Sequence, residues 1–392
     1  MNVLLVYNRD IDINDAGASR TTIELANYLA EKDNIKVYAA FNILNGNNGK
    51  IVEIPVERDC LFGSYAQIIK EKQIDIIIVP EAIKLAEILS EAKKGTKAKI
   101  ISALHTRPGY ERIRLYVNFY EDLLLGKGLA LKAKSIVKLL LYPFYYSRIK
   151  NDIINKMRRA YMVSDKLVLL SDHYKAPFIH SYNLNDGGVK LEAIPNGLSF
   201  GDLFIKEESL IKKQKYCLVV GRLDERSKRL SLLLRIWKEI EHKTQDWRLI
   251  VVGTGPSERL YKIMAKLFKL RRISFEGHQE PLDYYKQAKI FFMTSAFEGQ
   301  PMTLLEAQPM GCVPIVMNTF EALADIVEDG VNGLVAKNKK EFLSKAITIM
   351  NDNVLLNKMA LNGVNSCKKF ERTRTYELYY KLIMELYGDS NY

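Results

Sequence analysis

Cysteine is scarce and scattered in this chain of 392 residues. Cys60, Cys217, Cys312 and Cys367 lie far apart, with no C-x-x-C pair and no histidine at ligand spacing. That pattern argues against a disulfide framework and a structural zinc site, and it suits a reducing compartment. Long apolar runs are missing as well. Without about 18 uninterrupted apolar residues, no membrane-spanning helix is expected. The opening run Met1–Val6 is apolar at once, with no basic stretch or cleavage site before it, so no secretory signal is expected. Glycine (22) and proline (11) are modest, and 48% hydrophobic with 27% charged residues excludes fibrous or disordered chain. At about 150 residues per domain, the length allows two to three domains.

Acid is the minority charge: 46 acidic against 58 basic residues, a net +12. The excess is unevenly placed. Between Lys127 and Arg159 stand nine basic residues and one acid, Asp152. Basic excess alone fits nucleic acid, anionic lipid or phosphorylated ligands equally well.

Short apolar runs alternate with helical patterns throughout. Strands are expected at Val3–Tyr7, Lys36–Ala40, Ile74–Val79, Lys99–Leu104, Lys166–Leu170 and Leu191–Ile194. A second series is expected at Tyr216–Val220, Arg248–Val252, Ile273–Phe275, Ile290–Thr294, Val313–Met317 and Gly333–Ala336. Alternation of this kind predicts parallel sheets covered by helices. The polar stretch Ser199–Gln214 separates the two series. It predicts an N-terminal domain over 1–198, a C-terminal domain over 199–371, and a closing helix at 372–392 that returns to the first. In that helix Tyr376, Tyr380, Ile383 and Tyr387 share a face. The fold class is therefore α/β, with two doubly wound Rossmann-like domains facing a cleft. Ligands in such sheets sit beyond the carboxyl ends of the strands.

Polar residues at those strand ends carry the candidate chemistry. Gly221-Arg222-Leu223 ends the first strand of the second series, and Lys228-Arg229 is expected to open the next helix. Two cations there can hold a diphosphate, although a solvated basic turn reads the same. Gly253-Thr254-Gly255 allows a tight turn, but Glu258 stands where a dinucleotide fingerprint has its third glycine, which argues against NAD. In the segment Thr294–Ala307, a strand end leads through Glu298-Gly299-Gln300-Pro301-Met302-Thr303 into a helix bearing Glu306. Carboxylates so placed can grip sugar and ribose hydroxyls.

With these motifs the chain resembles the retaining glycosyltransferases of family 4, which have the GT-B architecture. The resemblance rests on Glu298-x7-Glu306, Gly221-Arg222…Lys228, Gly253-x-Gly255, Gly311-Cys312-Val313-Pro314 and Asp329-Gly330-Val331-Asn332-Gly333-Leu334. It covers the second domain closely and the first more loosely. It implies that Arg222 and Lys228 hold the diphosphate of a nucleotide-sugar and that Glu306 takes the ribose. Glu298 with Gly299, Gln300, Pro301, Met302 and Thr303 would hold the donor sugar, and His278, after Glu276-Gly277, would lie beside the base. In the first domain, Gly17 alone stands where relatives carry two glycines, and His105 resembles the acceptor-side histidine.

The resemblance further implies a hexosyltransferase-type enzyme using a UDP-sugar co-substrate, with no other cofactor and no metal. Its acceptor would be a saccharide, lipid-linked, in cell-surface polysaccharide or glycan assembly. A cytoplasmic protein, peripheral at the membrane, is expected. Asp10-Ile11-Asp12 matches the D-x-D metal motif of the other large transferase fold, but its place near the N-terminus reads as a polar loop. Lys127, Lys134 and Lys138 fall on one helical stripe beside leucines, with Pro143 breaking the pattern and Tyr142, Phe144, Tyr145 and Tyr146 around it. That suits an interfacial helix on an anionic membrane, or a core helix with solvated lysines. Two other functions fit the pattern: a non-hydrolysing sugar-nucleotide epimerase, and a basic nucleic-acid-binding protein. The second would interleave aromatic with basic residues on a strand surface, whereas the aromatics here cluster beside leucines, so no nucleic-acid partner is expected.

Overall fold

The computed structural model describes residues 1–14, 17–80, 83–109, 133, 136–137, 140–201 and 203–389. Lys127, Lys134 and Lys138 lie outside the described residues. The chain forms two compact units: Met1–Gly197 with Thr373–Tyr392, and Leu198–Arg372.

The first unit holds a seven-stranded parallel sheet ordered β3-β2-β1-β4-β5-β6-β7. Its strands are β1 (Asn2–Leu5), β2 (Lys36–Ala39), β3 (Val52–Glu53), β4 (Ile76–Pro80), β5 (Lys99–Leu104), β6 (Lys166–Leu169) and β7 (Leu191–Ala193). Its helices are α1 (Ala18–Ala30), α2 (Leu61–Glu71), α3 (Ile83–Ala92), α4 (Tyr142–Val163) and α5 (Lys175–Tyr182). β4 reads Ile-Ile-Ile-Val-Pro and is buried along its whole length. An apolar run without alternation is what a parallel strand needs when helices cover both its faces. Pro143 lies in the first turn of α4, where its missing N–H is harmless, so it opens a helix there.

The second unit carries a six-stranded parallel sheet ordered β10-β9-β8-β11-β12-β13. These strands are β8 (Gln214–Val220), β9 (Arg248–Val252), β10 (Ile273–Gly277), β11 (Ala288–Met293), β12 (Val313–Met317) and β13 (Leu334–Ala336). The helices are α6 (Glu207–Leu210), α7 (Glu225–Lys228), α8 (Leu230–Lys243), α9 (Glu258–Leu267), α10 (Leu282–Gln287), α11 (Met302–Ala307), α12 (Leu323–Ile326), α13 (Lys339–Met350) and α14 (Asn353–Ser366). In α8, Leu230, Leu233, Leu234, Trp237 and Ile240 recur at helical spacing and are buried in this unit's core. Strand order reverses at β8, which has β9 on one side and β11 on the other. Such a switch point opens a crevice at the carboxyl ends of the strands.

The last helix, α15 (Arg372–Asp389), packs on the first unit. Tyr376, Tyr379, Leu382, Ile383 and Leu386 enter that unit's core, whereas Tyr380 is only partly buried there and Tyr387 is also partly exposed. The shared face of Tyr376, Tyr380, Ile383 and Tyr387 thus coincides only in part with the buried one.

Candidate functional site

The switch-point crevice of the second unit gathers its polar residues from two loops. Gly221, Arg222, Lys228, Thr294 and Ser295 line a small cavity where β8 and β11 end. The β8 loop is built from the inside out. Asp224 caps α7 by accepting the Arg226 N–H at 3.0 Å. Lys228 closes that one-turn helix rather than opening the next, because Arg229 follows in the left-handed conformation (φ 47°) and α8 begins only at Leu230. Glu225 then receives the Ser231 N–H at 3.1 Å, the Ser231 hydroxyl, and the Tyr261 hydroxyl at 2.9 Å, tying α7, α8 and α9 together. Burial, with the Glu225 charge beside it, pushes the Tyr261 phenol far above its ordinary value, so it remains a donor.

The β11 loop is fastened to the same turn. Arg229 donates to the carbonyls of Thr294 (3.0 Å) and Ser295 (3.2 Å), and the Ala296 N–H donates to the Ser227 carbonyl at 2.7 Å. The Thr294 hydroxyl reaches back to the Lys228 carbonyl at 3.1 Å, and Thr319 holds the Ser295 carbonyl at 2.8 Å. This lattice fixes where Lys228 points: its Nζ donates to Glu298 Oε1 at 2.6 Å, with the two side chains 25% and 14% exposed. Arg222 is exposed, and its guanidinium has no hydrogen bond or ion pair among the described residues. One cation is thus held and another is uncommitted.

Glycine at 253 and 255 serves the same convergence. A Cβ on Gly253 would lie 2.0 Å from the Gly221 carbonyl oxygen, at a φ of +131°. One on Gly255 would lie 2.5 Å from the Leu223 carbonyl. The close approach these residues allow is of loop against loop, and it brings the ends of β8 and β9 together.

Glu306 is penultimate in α11 and buried, accepting the Tyr285 hydroxyl at 2.9 Å. Pro301 precedes that helix. Gln300 and Pro301 are buried, Gly299, Met302 and Thr303 partly so, and the buried Thr303 hydroxyl has no partner among the described residues. His278 follows β10 and is exposed. The remaining two candidates belong to the first unit. Gly17 (φ +70°) precedes α1, and His105 follows β5 in a small cavity with Thr22, Asn196 and Tyr376. Asp10 and Asp12 have their carboxylates engaged by loop donors: Asn42 N–H at 3.1 Å on Asp10, Asn14 N–H at 2.8 Å and Asn45 at 2.6 Å on Asp12. Those donors hold both acids below the usual carboxylate range.

Glu225 and Tyr285 were not singled out from sequence, and Arg229 and Thr294 were named only within Lys228-Arg229 and the segment Thr294–Ala307, without the carbonyl-binding roles they have in the fold. The left-handed backbone of Arg229 carries no signal, since such a position is usually marked by Gly or Asn.

Both sheets are parallel and helix-covered, and together the units are two Rossmann-like domains, the GT-B fold. Over 98% of its length the chain superposes on all of Anabaena HepE, solved in complex with UDP, with a TM-score of 0.74 at 14% identity. It superposes likewise on 99% of the lipopolysaccharide outer core galactosyltransferase WaaB (TM-score 0.66, 16% identity). Residues 202–365, within the second unit, match the sequence model of the family described as glycosyl transferases group 1. The amylovoran biosynthesis glycosyltransferase of Erwinia amylovora is 31% identical over 177 residues, which cover 43% of this chain and 48% of that protein. A Campylobacter jejuni α-1,4-N-acetyl-D-galactosaminyltransferase, named for an acceptor on diphospho-undecaprenol, is 24% identical over 50% of this chain and 55% of its own length. The chain thus spans about half the length of these curated relatives.

Proposed function

We propose that the protein is a retaining glycosyltransferase of the hexosyltransferase type. It moves a sugar from a nucleotide diphosphate-sugar, UDP-linked, to a lipid-linked saccharide in cell-surface glycan assembly. The observation that carries this reading is the pairing of Lys228 with Glu298 beside uncommitted Arg222 at the switch point, inside the segment that matches the family. Arg222 and Lys228 would meet the diphosphate, Glu298 with the Gly299–Thr303 backbone the donor sugar, and Glu306 the ribose. The anomeric carbon–oxygen bond breaks with its electron pair leaving on the β-phosphate. The acceptor hydroxyl attacks the same face, and its proton passes to that phosphate. The cations act by stabilising charge that grows on the diphosphate as the bond breaks. The Anabaena structures hold UDP, and the Campylobacter relatives are named for lipid-linked acceptors; both support the finer reading. No metal or other cofactor is assigned to the step.

Thermal shift with UDP, UDP-sugars and other nucleoside diphosphates tests this reading. A ligand at 100 times its Kd stabilises by about 2.7 kcal/mol. In Glu306→Ala the UDP affinity should fall roughly 10- to 100-fold, since a hydrogen bond involving a charged group contributes about 1.5–3 kcal/mol. Unchanged affinity would remove Glu306 from the ribose role. Product that forms from donor without any acceptor would instead indicate an epimerase.

We place the protein at the cytoplasmic face of an anionic membrane. Exposed Ile136, Val137, Leu140 and Leu141 follow one another just before α4, in the most basic stretch of the chain. Changing Lys127, Lys134 and Lys138 to Gln should weaken sedimentation with anionic vesicles by up to about 3 kcal/mol, at roughly 1 kcal/mol per cation. Binding equal to wild type would leave those lysines as a solvated face.

A further inference from the structure

A cavity of about 400 Å³ opens in the first unit, where β1 and β2 end. That is within the roughly 300–1,000 Å³ of small-molecule sites. Its inner wall is apolar: Phe41 and Leu85 are buried, and so is the ring of Tyr65 from α2. Its rim is polar, with Asn8, Arg9 and Arg58 exposed.

Two features point to a ligand. Tyr65 is 1% exposed and lines the cavity, yet its hydroxyl has no hydrogen-bond partner among the described residues. Buried phenols are usually bonded. Burial pushes this one up to about 12, so it keeps its proton to donate at neutral pH. The rim also carries a loosely held cation, Arg58. Asp10 already accepts the Asn42 N–H, and its ion pair with Arg58 is loose at 3.7 Å, with the arginine side chain 70% exposed. Such solvated pairs hold an arginine weakly, and its five-donor fork has capacity left. Arg9 is more fixed, donating to the Asp10 carbonyl and to the Ser19 hydroxyl.

We propose that this cavity is a ligand site for a sugar bearing an acid group. The ring lies against the apolar wall, a hydroxyl meets Tyr65, and the carboxylate or phosphate lies between Arg9 and Arg58. If the transfer reading holds, this is the site of an acidic acceptor, and only that last identification rests on it.

Calorimetric titration of the full chain tests the site without turnover, so failure here and failure of the transfer reading are separable. Glucuronate or glucose 6-phosphate should bind at least ten-fold more tightly than glucose. Whichever acid sugar does so names the anion. Arg58→Gln should cost that acid sugar about ten-fold in affinity and leave glucose unchanged, as expected for losing a charge-assisted bond. Tyr65→Phe, which keeps the buried ring, should weaken both sugars several-fold. Arg222→Ala, in the other unit, should leave acid-sugar affinity as it is. The proposal falls if neither acid sugar outbinds glucose, or if inorganic phosphate alone binds as tightly as the sugar. It falls equally if Arg58→Gln and Tyr65→Phe change nothing while retaining wild-type thermal stability, or if Arg222→Ala abolishes binding.

Discussion

Lys228 and Glu298 stand 70 positions apart in the chain and 2.6 Å apart in the fold. Each was legible alone, as a polar residue beyond an apolar strand, and the sequence pattern could not pair them. Their meeting depends on Arg229 and Thr294, whose roles are to bond backbone carbonyls, and residue type does not announce that. The pair also sets an expectation for the ligand-free protein: a diphosphate must share Lys228 with a carboxylate already bonded to it. Glu298→Gln should therefore tighten UDP binding about two- to five-fold, since a partly exposed pair contributes up to roughly 1 kcal/mol. Transfer should nonetheless fall, because the donor sugar loses its partner. Lys228→Ala should lower kcat more than it weakens UDP-sugar binding, as its charge partner grows in the transition state. Titration calorimetry beside steady-state kinetics separates these effects. If UDP affinity drops in parallel with turnover in Glu298→Gln, the carboxylate is orienting Lys228 for the nucleotide rather than competing with it.

Among the elements, strands were the easiest to read. β9 and β12 fall at the expected bounds, and β5 does too despite Ser102 within it, because a parallel strand buried on both faces is a mostly apolar run. β3 escaped notice: Val52–Glu53 has two residues, too short for any period to show. Which face of α15 turns inward was not legible, because tyrosine recurs at helical spacing on two adjoining stripes. The G-x-G loop between β9 and α9 was legible as a tight approach, but what it approaches is the β8 loop. That makes Gly253 a sharp test of how the crevice is assembled. Gly253→Ala places a methyl against the Gly221 carbonyl at a φ few L-residues adopt. It should destabilise by about 3–5 kcal/mol, the combined scale of backbone strain and overpacking. Gly17→Ala, at φ +70° and ψ −130° but with open space around its Cβ, should cost only about 1–3 kcal/mol, backbone strain without a clash. Urea melts of the two variants make the comparison. Equal costs would mean that the β8 and β9 loops can move apart, and that their packing does not shape the site.

At the scale of the whole molecule, the chain leaves its first unit at Gly197 and re-enters it at Thr373, after completing the second. The returning helix is a working part of the first core rather than an appendage. Tyr376 donates to the buried carboxylate of Glu24 at 2.8 Å, and Tyr28 on α1 donates to Glu377 at 2.5 Å. Tyr379, Leu382, Ile383 and Leu386 are buried in the same core as residues of α1 and of the sheet. A fully buried side chain of this size contributes about 1.5–3 kcal/mol, so with Tyr376 the five together reach roughly 7–15 kcal/mol. That matches the entire stability of an ordinary domain, about 5–15 kcal/mol. Ending the chain after Arg372 should therefore unfold the first unit, although every one of its strands is still present. The second unit, whose core draws on residues between Leu210 and Ala360, should keep its structure and its nucleotide affinity. Hydrogen exchange read by peptide would show protection lost across β1, β2 and β4 but retained across β8, β9 and β11. Retained protection in β1 and β4 would mean that the sheet and α1 hold together without the returning helix. Loss across β8 as well would mean that the two units unfold as one.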